Sequence, residues 1–184
     1  MPIDRSLIRK KSSIYAEVLI QAAKATDSVF AVTDQLEQVL MTIRSHAELR
    51  NTLMERTIPG ADRANILKDV FSGFNPALLE VLCVMVDRDD LGLLSRVNER
   101  SMDLAEEALD AVIIDVTTVL DLDDGLRKSI KEKFSAQFGK GVLLREHKDP
   151  SLLGGIVLSA HGSRIDASVS FQLDNARATL MQAW

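Results

Sequence analysis

Val112-Ile113-Ile114-Asp115-Val116-Thr117-Thr118-Val119 is a β-branched run interrupted by a single carboxylate, and it reads as a strand. Its position decides the fold, because apolar residues upstream of Ala111 recur at helical spacing and those downstream do not. The chain is therefore mainly α, with an N-terminal six-helix bundle over residues 1–109 followed by a small α/β domain over residues 110–184.

Working back from the strand, Tyr15, Val18, Leu19 and Ala22 fall at i, i+3, i+4 and i+7, which predicts a helix from about Asp4 to Ala25. Thr26-Asp27-Ser28 is a polar break rich in N-cap residues. The second helix follows, its stripe formed by Val29, Val32, Leu36, Val39, Leu40 and Ile43. Ser45-His46-Ala47-Glu48 has capping-box spacing and predicts a short third helix. After the turn Thr57-Ile58-Pro59-Gly60, Asp62 is the expected cap of a fourth helix that ends near Phe71. Asn75-Pro76 is a strong start signal for the fifth, an N-cap followed by proline at the first helical position. That helix, Ala77 to about Asp87, is apolar almost all round, so it must be central or covered by a partner. Arg88-Asp89-Asp90 breaks the pattern before a final helix expected from Leu91 to Leu109.

Working forward, a charged amphipathic helix follows the strand and runs through about Phe138, with Asp123-Asp124 at its start, where negative charge suits the helix dipole. Val142 to Arg145 predicts a second strand. Gly155–Ser159 and Arg164–Asp166 predict a hairpin around Ala160-His161-Gly162-Ser163. Ser168 can cap a last helix through Ala183.

Composition narrows the function. Hydrophobic residues make up 46% of the chain, enough for a packed core, and aromatics only 4%, so that core is aliphatic. Residues 1–109 carry 13 Lys+Arg against 17 Asp+Glu, and residues 110–184 carry 9 against 10. Neither part is basic, which argues against nucleic acid as the main partner. A short basic cluster near the start, Arg5, Arg9, Lys10 and Lys11, reads as a solvated helix face. The single cysteine, Cys83, excludes a disulfide framework within the chain and lies in an apolar run. No stretch reaches the roughly 18–20 apolar residues needed to cross a bilayer, and the N-terminus lacks the layout of a signal peptide. A cytoplasmic protein is the expectation.

Catalytic motifs are missing from the sequence. There is no Walker loop, no Gly-x-Gly-x-x-Gly and no His-Glu-x-x-His. Leu153-Gly154-Gly155 reads as a tight turn rather than a phosphate cradle, and paired carboxylates such as Glu106-Glu107 lie on charged helix faces. A metal site from His147 and His161 with Asp149 and Asp166 matches no common ligand spacing. No catalytic residue, metal or cofactor is expected.

The C-terminal segment carries the most specific signal. Lys148-Asp149-Pro150-Ser151-Leu152-Leu153-Gly154-Gly155 is followed by Gly162 and then Ile165-Asp166-Ala167-Ser168-Val169. This resembles the signature of the ATP synthase delta subunit family, which includes the oligomycin-sensitivity-conferring protein. Tyr15-Ala16-x-x-Leu19 is similar to the family's pattern on the first helix. The signature positions are Asp149, Gly154, Gly155, Gly162, Asp166 and Ser168. Departures occur at Ile14, Asp89-Asp90, Ala167 and Ser170, where the family commonly has Arg, Gly-Arg, Gly and Arg.

The resemblance implies a non-catalytic peripheral-stalk subunit, a stator, of a rotary F-type ATP synthase. Such a subunit links the catalytic head to the membrane sector so that ion flow is coupled to ATP synthesis. It implies that the bundle binds the N-terminal helix of an alpha subunit in a groove between the first and fifth helices. The matching positions are Tyr15, Val18 and Ala22 on one side and Glu80, Val84 and Asp87 on the other. It further implies that the C-terminal domain contacts the b subunits, and that the protein is peripheral to the cytoplasmic face of a bacterial cell membrane. In the groove, Leu82 reads as core and Val84 as partner-facing. The rival readings are an adaptor for some other assembly and a small metal-dependent enzyme using His147, His161 and Asp166.

Overall fold

The computed structural model describes residues 5–160 and 163–182. The chain divides between Leu109 and Asp110 into two compact units. The first is a bundle of α1 (Arg5–Ala25), α2 (Val29–Ser45), α3 (Ala47–Met54), α4 (Gly60–Val70), α5 (Pro76–Asp87) and α6 (Leu94–Leu109). In it α6 packs along both α1 and α2, while α5 packs against α4 and α1. Its core is aliphatic, with Leu19, Leu36, Leu53, Leu67, Leu78, Leu82 and Met85 fully buried.

Helix starts follow the local chemistry with instructive exceptions. Asn75 caps α5, its side chain accepting from the Ala77 amide at 2.9 Å with Pro76 at the first helical position. The same residue ties α5 to α2, since its amide N–H donates to Gln35 Oε1 at 2.8 Å. The capping box at Ser45 does not form. Ser45 is the last residue of α2 and its hydroxyl donates back to the Met41 carbonyl at 2.9 Å, so α3 begins after His46 with no side-chain cap. Asp62 does not cap α4 either: Pro59 takes that position, and Asp62 lies in the first turn, where its charge suits the helix dipole. The helix expected over Leu91–Leu109 opens as a separate 3₁₀ turn, Leu91–Leu93.

The second unit is built on β1 (Ala111–Thr118), α7 (Asp124–Phe138), β2 (Gly141–Lys148), β3 (Gly155–Ala160), β4 (Ser163–Ser168) and α8 (Val169–Gln182). The sheet order is β2-β1-β3-β4, so β1, the β-branched run, is internal. It runs parallel to β2, with Val112 opposite Val142, and antiparallel to β3, with Val116 opposite Leu158. On one face, Val112, Ile114 and Val116 pack with Ile130 and Phe134 of α7, and Phe138 closes the cluster. Strand β2 is longer than expected, because parallel pairing with all of β1 carries it through the polar Glu146-His147-Lys148.

A polar cluster crosses the β1–β2 pair. Arg145, buried, sits in register with Asp115 and donates through Nε at 2.5 Å, while His147 Nε2 lies 3.6 Å from the same carboxylate. Burial alone pushes the Asp115 carboxyl up, but hydrogen bonds from His147 and Arg145, with their charges, outweigh it and hold the pKa below the ordinary value.

The signature segment forms the turn into the hairpin and the corner that leaves it. Asp149 caps a 3₁₀ turn (Pro150–Leu152), accepting from the Ser151 amide at 2.9 Å. Leu153, Gly154 and Gly155 then take positive φ in succession. Gly155 has no alternative: a Cβ there would lie 2.3 Å from the Ala167 carbonyl oxygen and 2.9 Å from Ser168 Cα. Asp166 Oδ1 accepts from the Ser168 amide at 3.1 Å and from its hydroxyl at 2.6 Å, and Ser168 Oγ in turn accepts from the Phe171 amide at 3.2 Å, capping α8 as expected. Gly162 and His161 lie outside the described residues.

Two outcomes follow. Gly155→Ala lowers the stability of the C-terminal unit by about 3 kcal/mol, combining a positive-φ penalty with a backbone clash; thermal denaturation followed by circular dichroism checks it, and an unchanged melt contradicts it. Asp115, its folded pKa depressed, stabilises the fold above about pH 4 and loses that contribution as pH falls through the folded value. Asp115→Asn therefore lowers stability at neutral pH and reduces the acid slope of a stability-against-pH series.

Candidate functional site

The expected groove residues lie on two helices that pack against each other, α1 and α5. Leu78, Leu82, Met85 and Val86 bury one side of α5, which leaves Glu80, Val84 and Asp87 on its outer side. Val84 is 44% exposed, whereas Leu82 is fully buried. On α1, Val18 is 51% exposed and Ala22 half-buried. Ile14, one turn before Val18, is 59% exposed and extends the same stripe.

Tyr15 is placed differently from its neighbours. Only 9% of it is exposed, and its hydroxyl donates to Asp90 Oδ2 at 2.9 Å. Burial, reinforced by the Asp90 carboxylate, pushes the phenol pKa up, so the hydroxyl stays protonated and donating. Lys11 Nζ reaches both Asp90 oxygens, at 2.8 and 2.9 Å. Asp90 thus pins α1 to the end of α5. Its neighbour Asp89 has φ of 56° and accepts from Arg63 Nη1 at 2.9 Å, with Arg56 Nε at 3.3 Å. Arg63 is itself buried and also donates to the Leu53 carbonyl at 3.1 Å. Asp87 leans on the start of α4, where a Cβ added at Gly60 would come within 2.5 Å of Oδ1.

Sequence reasoning missed Asp90, Lys11, Asp89 and Arg63 as organisers of this region. Their partners lie 26 to 79 residues away, beyond the reach of any local pattern. The one available signal was the replacement of Gly-Arg by Asp89-Asp90. Both carboxylates turn out to be engaged within the bundle.

The arrangement offers shape and apolar surface rather than reactive groups. Among the described residues no three His, Cys, Asp or Glu side chains could hold a metal ion, and no helix is long and apolar enough to cross a membrane. Cys83 is half-buried, and burial pushes its thiol pKa up, away from the reactive thiolate.

The C-terminal unit has an exposed surface of its own. On α8, Val169, Leu173, Ala176 and Leu180 recur at i, i+4, i+7 and i+11, and Leu173 and Leu180 are 56% and 66% exposed.

Comparison with known proteins agrees with these features. Residues 12–180 match the family model described as ATP synthase delta (OSCP) subunit. An ATP synthase subunit delta from Rhodopirellula baltica is 30% identical over 167 residues, which is 90% of this chain and 74% of that protein. The subunit delta of Rubrobacter xylanophilus is 26% identical over 171 residues, covering 92% and 96%. A chain in the cryo-EM structure of the Toxoplasma gondii mitochondrial ATP synthase hexamer shares the fold, with a TM-score of 0.52 at 18% identity over 92% of this chain and 97% of that one. With a family model matching most of its length and a relative at that identity, the chain belongs to the ATP synthase delta (OSCP) subunit family.

Proposed function

We infer that the chain is a peripheral-stalk subunit of an F-type ATP synthase, and that it works as a mechanical tie with no chemistry of its own. Ion flow drives a rotor, the rotor exerts torque on the catalytic head, and the stalk holds the head still. The N-terminal bundle takes the N-terminal helix of an alpha subunit into the groove between α1 and α5. The C-terminal unit meets the b subunits through α8.

The observation that carries the groove assignment is Val84. It stands 44% exposed on a helix whose opposite side is fully buried, and α1, which packs against that helix, carries the exposed Val18. Two apolar side chains flanking one groove suit the apolar stripe of an incoming amphipathic helix. Glu80 and Asp87 border Val84 on the same helix side, so basic residues on that helix would be favoured at the rim. A helix-in-groove contact of ordinary size buries roughly 1,600 Å² in total, yet affinity at that size ranges widely. Packing around a few central side chains decides the strength of the tie. For α8, support comes from an apolar stripe left in water, with Leu173 and Leu180 both exposed.

Calorimetric titration of the full chain with a synthetic peptide of the host's alpha-subunit N-terminus tests the groove. One-to-one binding is expected, weakened about tenfold or more by Val84→Asp with the circular dichroism spectrum unchanged. Equal affinity in the variant overturns the groove assignment. Leu173→Asp combined with Leu180→Asp is expected to abolish co-purification with the b subunits while leaving alpha-peptide affinity as it was. Retained co-purification excludes α8 as the contact.

A further inference from the structure

On the side of α1 turned away from the Val18 stripe lies a cleft of about 690 Å³, walled by α1 and α6. Arg9 is nine residues from Val18, two and a half helical turns, and therefore faces the opposite direction. Arg5 and Arg9 line the cleft from α1, and Arg96 and Arg100 from α6, each pair at i, i+4 spacing, together with Glu99 and Asp103. Arg100 pairs with Asp103 on its own helix at 3.5 Å. Among the described residues, Arg5, Arg9 and Arg96 meet no carboxylate at ion-pair distance.

We propose that this cleft is a second docking surface and that its occupant is an acidic peptide segment of a partner protein. The charge argument comes first. The chain carries a net charge of −5, yet four guanidinium groups converge on one cleft that supplies only two carboxylates. Mutual repulsion among them is relieved by incoming anions, and planar guanidinium pairs best with carboxylate in bidentate fashion. Shape then distinguishes a peptide from a compact oxyanion. The arginines stand in two rows, one on each helix, rather than around a point. Both hydroxyls on the α1 wall are already engaged, Ser12 donating to the Ile8 carbonyl at 3.0 Å and Ser13 to Glu17 Oε1 at 2.9 Å. Only the long arginine side chains remain as side-chain donors on that wall, and they suit carboxylates spaced along a segment. The surface is separate from the α1–α5 groove, so both can be occupied together.

The test is fluorescence anisotropy of a labelled peptide of repeating Glu-Glu-Ala-Ala against the full chain at low ionic strength (about 0.05 M). A matched Gln peptide and inorganic tripolyphosphate serve as further probes. Saturable binding of the acidic peptide is expected, lost with the Gln peptide, weakened about tenfold in Arg9→Glu/Arg96→Glu, and unchanged by Val84→Asp. Should the charge-reversed protein misfold by circular dichroism, Arg9→Gln/Arg96→Gln is used, with a smaller weakening expected. The proposal is overturned if folded wild-type protein ignores the acidic peptide or if both arginine variants bind it normally. It is overturned equally if tripolyphosphate binds and the peptide cannot displace it, which assigns the cleft to phosphate compounds. Loss of binding in Val84→Asp also overturns it, because the peptide would then be sitting in the first groove.

Discussion

Asp90 accepts from Lys11 and Tyr15 across more than seventy residues of chain, and the seating of α1 against the end of α5 rests on that carboxylate. Each hydrogen bond to this charged acceptor contributes about 1.5–3 kcal/mol net, comparable to one buried leucine. Its importance is positional. Aliphatic packing between two helices tolerates small slides along the axis, whereas a carboxylate held by an ammonium and a phenol does not. A largely buried carboxylate whose partners were both lost would be costly, so the bundle settles where they meet. Asp89, one residue earlier, does the corresponding work toward α4 through Arg63. The two acidic residues that replace the usual Gly-Arg pair thus became internal struts, and Asp89 keeps the left-handed backbone that a glycine would have adopted freely.

Periodicity and turn residues made most of the fold legible. The first two helices were visible in their apolar spacing and the rest of the bundle in its turn and cap residues, and the β-branched run at 112–119 marked the change of architecture within a residue of where β1 begins and ends. Asn75-Pro76 was legible because both residues act locally, one by accepting from a nearby amide and one by its fixed φ. Ser45 and Asp62 misled for the complementary reason. A hydroxyl can bond forward as a cap or backward to the preceding turn, and Pro59, with its φ already set, displaced Asp62 from the cap position. The full length of β2 was hidden because its last residues are polar and are held by a neighbouring strand rather than by their own pattern. On α5, which is apolar almost all round, the contrast between an exposed Val84 and a buried Leu82 was legible through the family resemblance rather than through helical phase. The struts beneath were not, since nothing local announces a bond between residues 15 and 90.

The specificity of the C-terminal signature has a steric origin. Gly155 packs against the carbonyl of residue 167 so closely that any side chain is excluded, and Asp166 with Ser168 turns the chain from β4 into α8. The departures in this segment fall where the geometry is permissive. Ala167 is exposed and does not need positive φ, and Ser170 places its hydroxyl 3.0 Å from that of Ser168. Among the described residues, Asp149, Gly154, Gly155, Asp166 and Ser168 of the signature turn the backbone.

The exposed stripe of α8 bears on how the cell would keep account of the protein. A helix of 14 residues is marginal in water by itself, and this one keeps Leu173 and Leu180 largely in solvent. Any copy made in excess of its partners displays that stripe permanently, and exposed aliphatic helices are what chaperones and proteases bind. On the role proposed for α8, the surface that makes the joint would also mark unassembled copies, and so tie the abundance of this chain to that of whatever covers it.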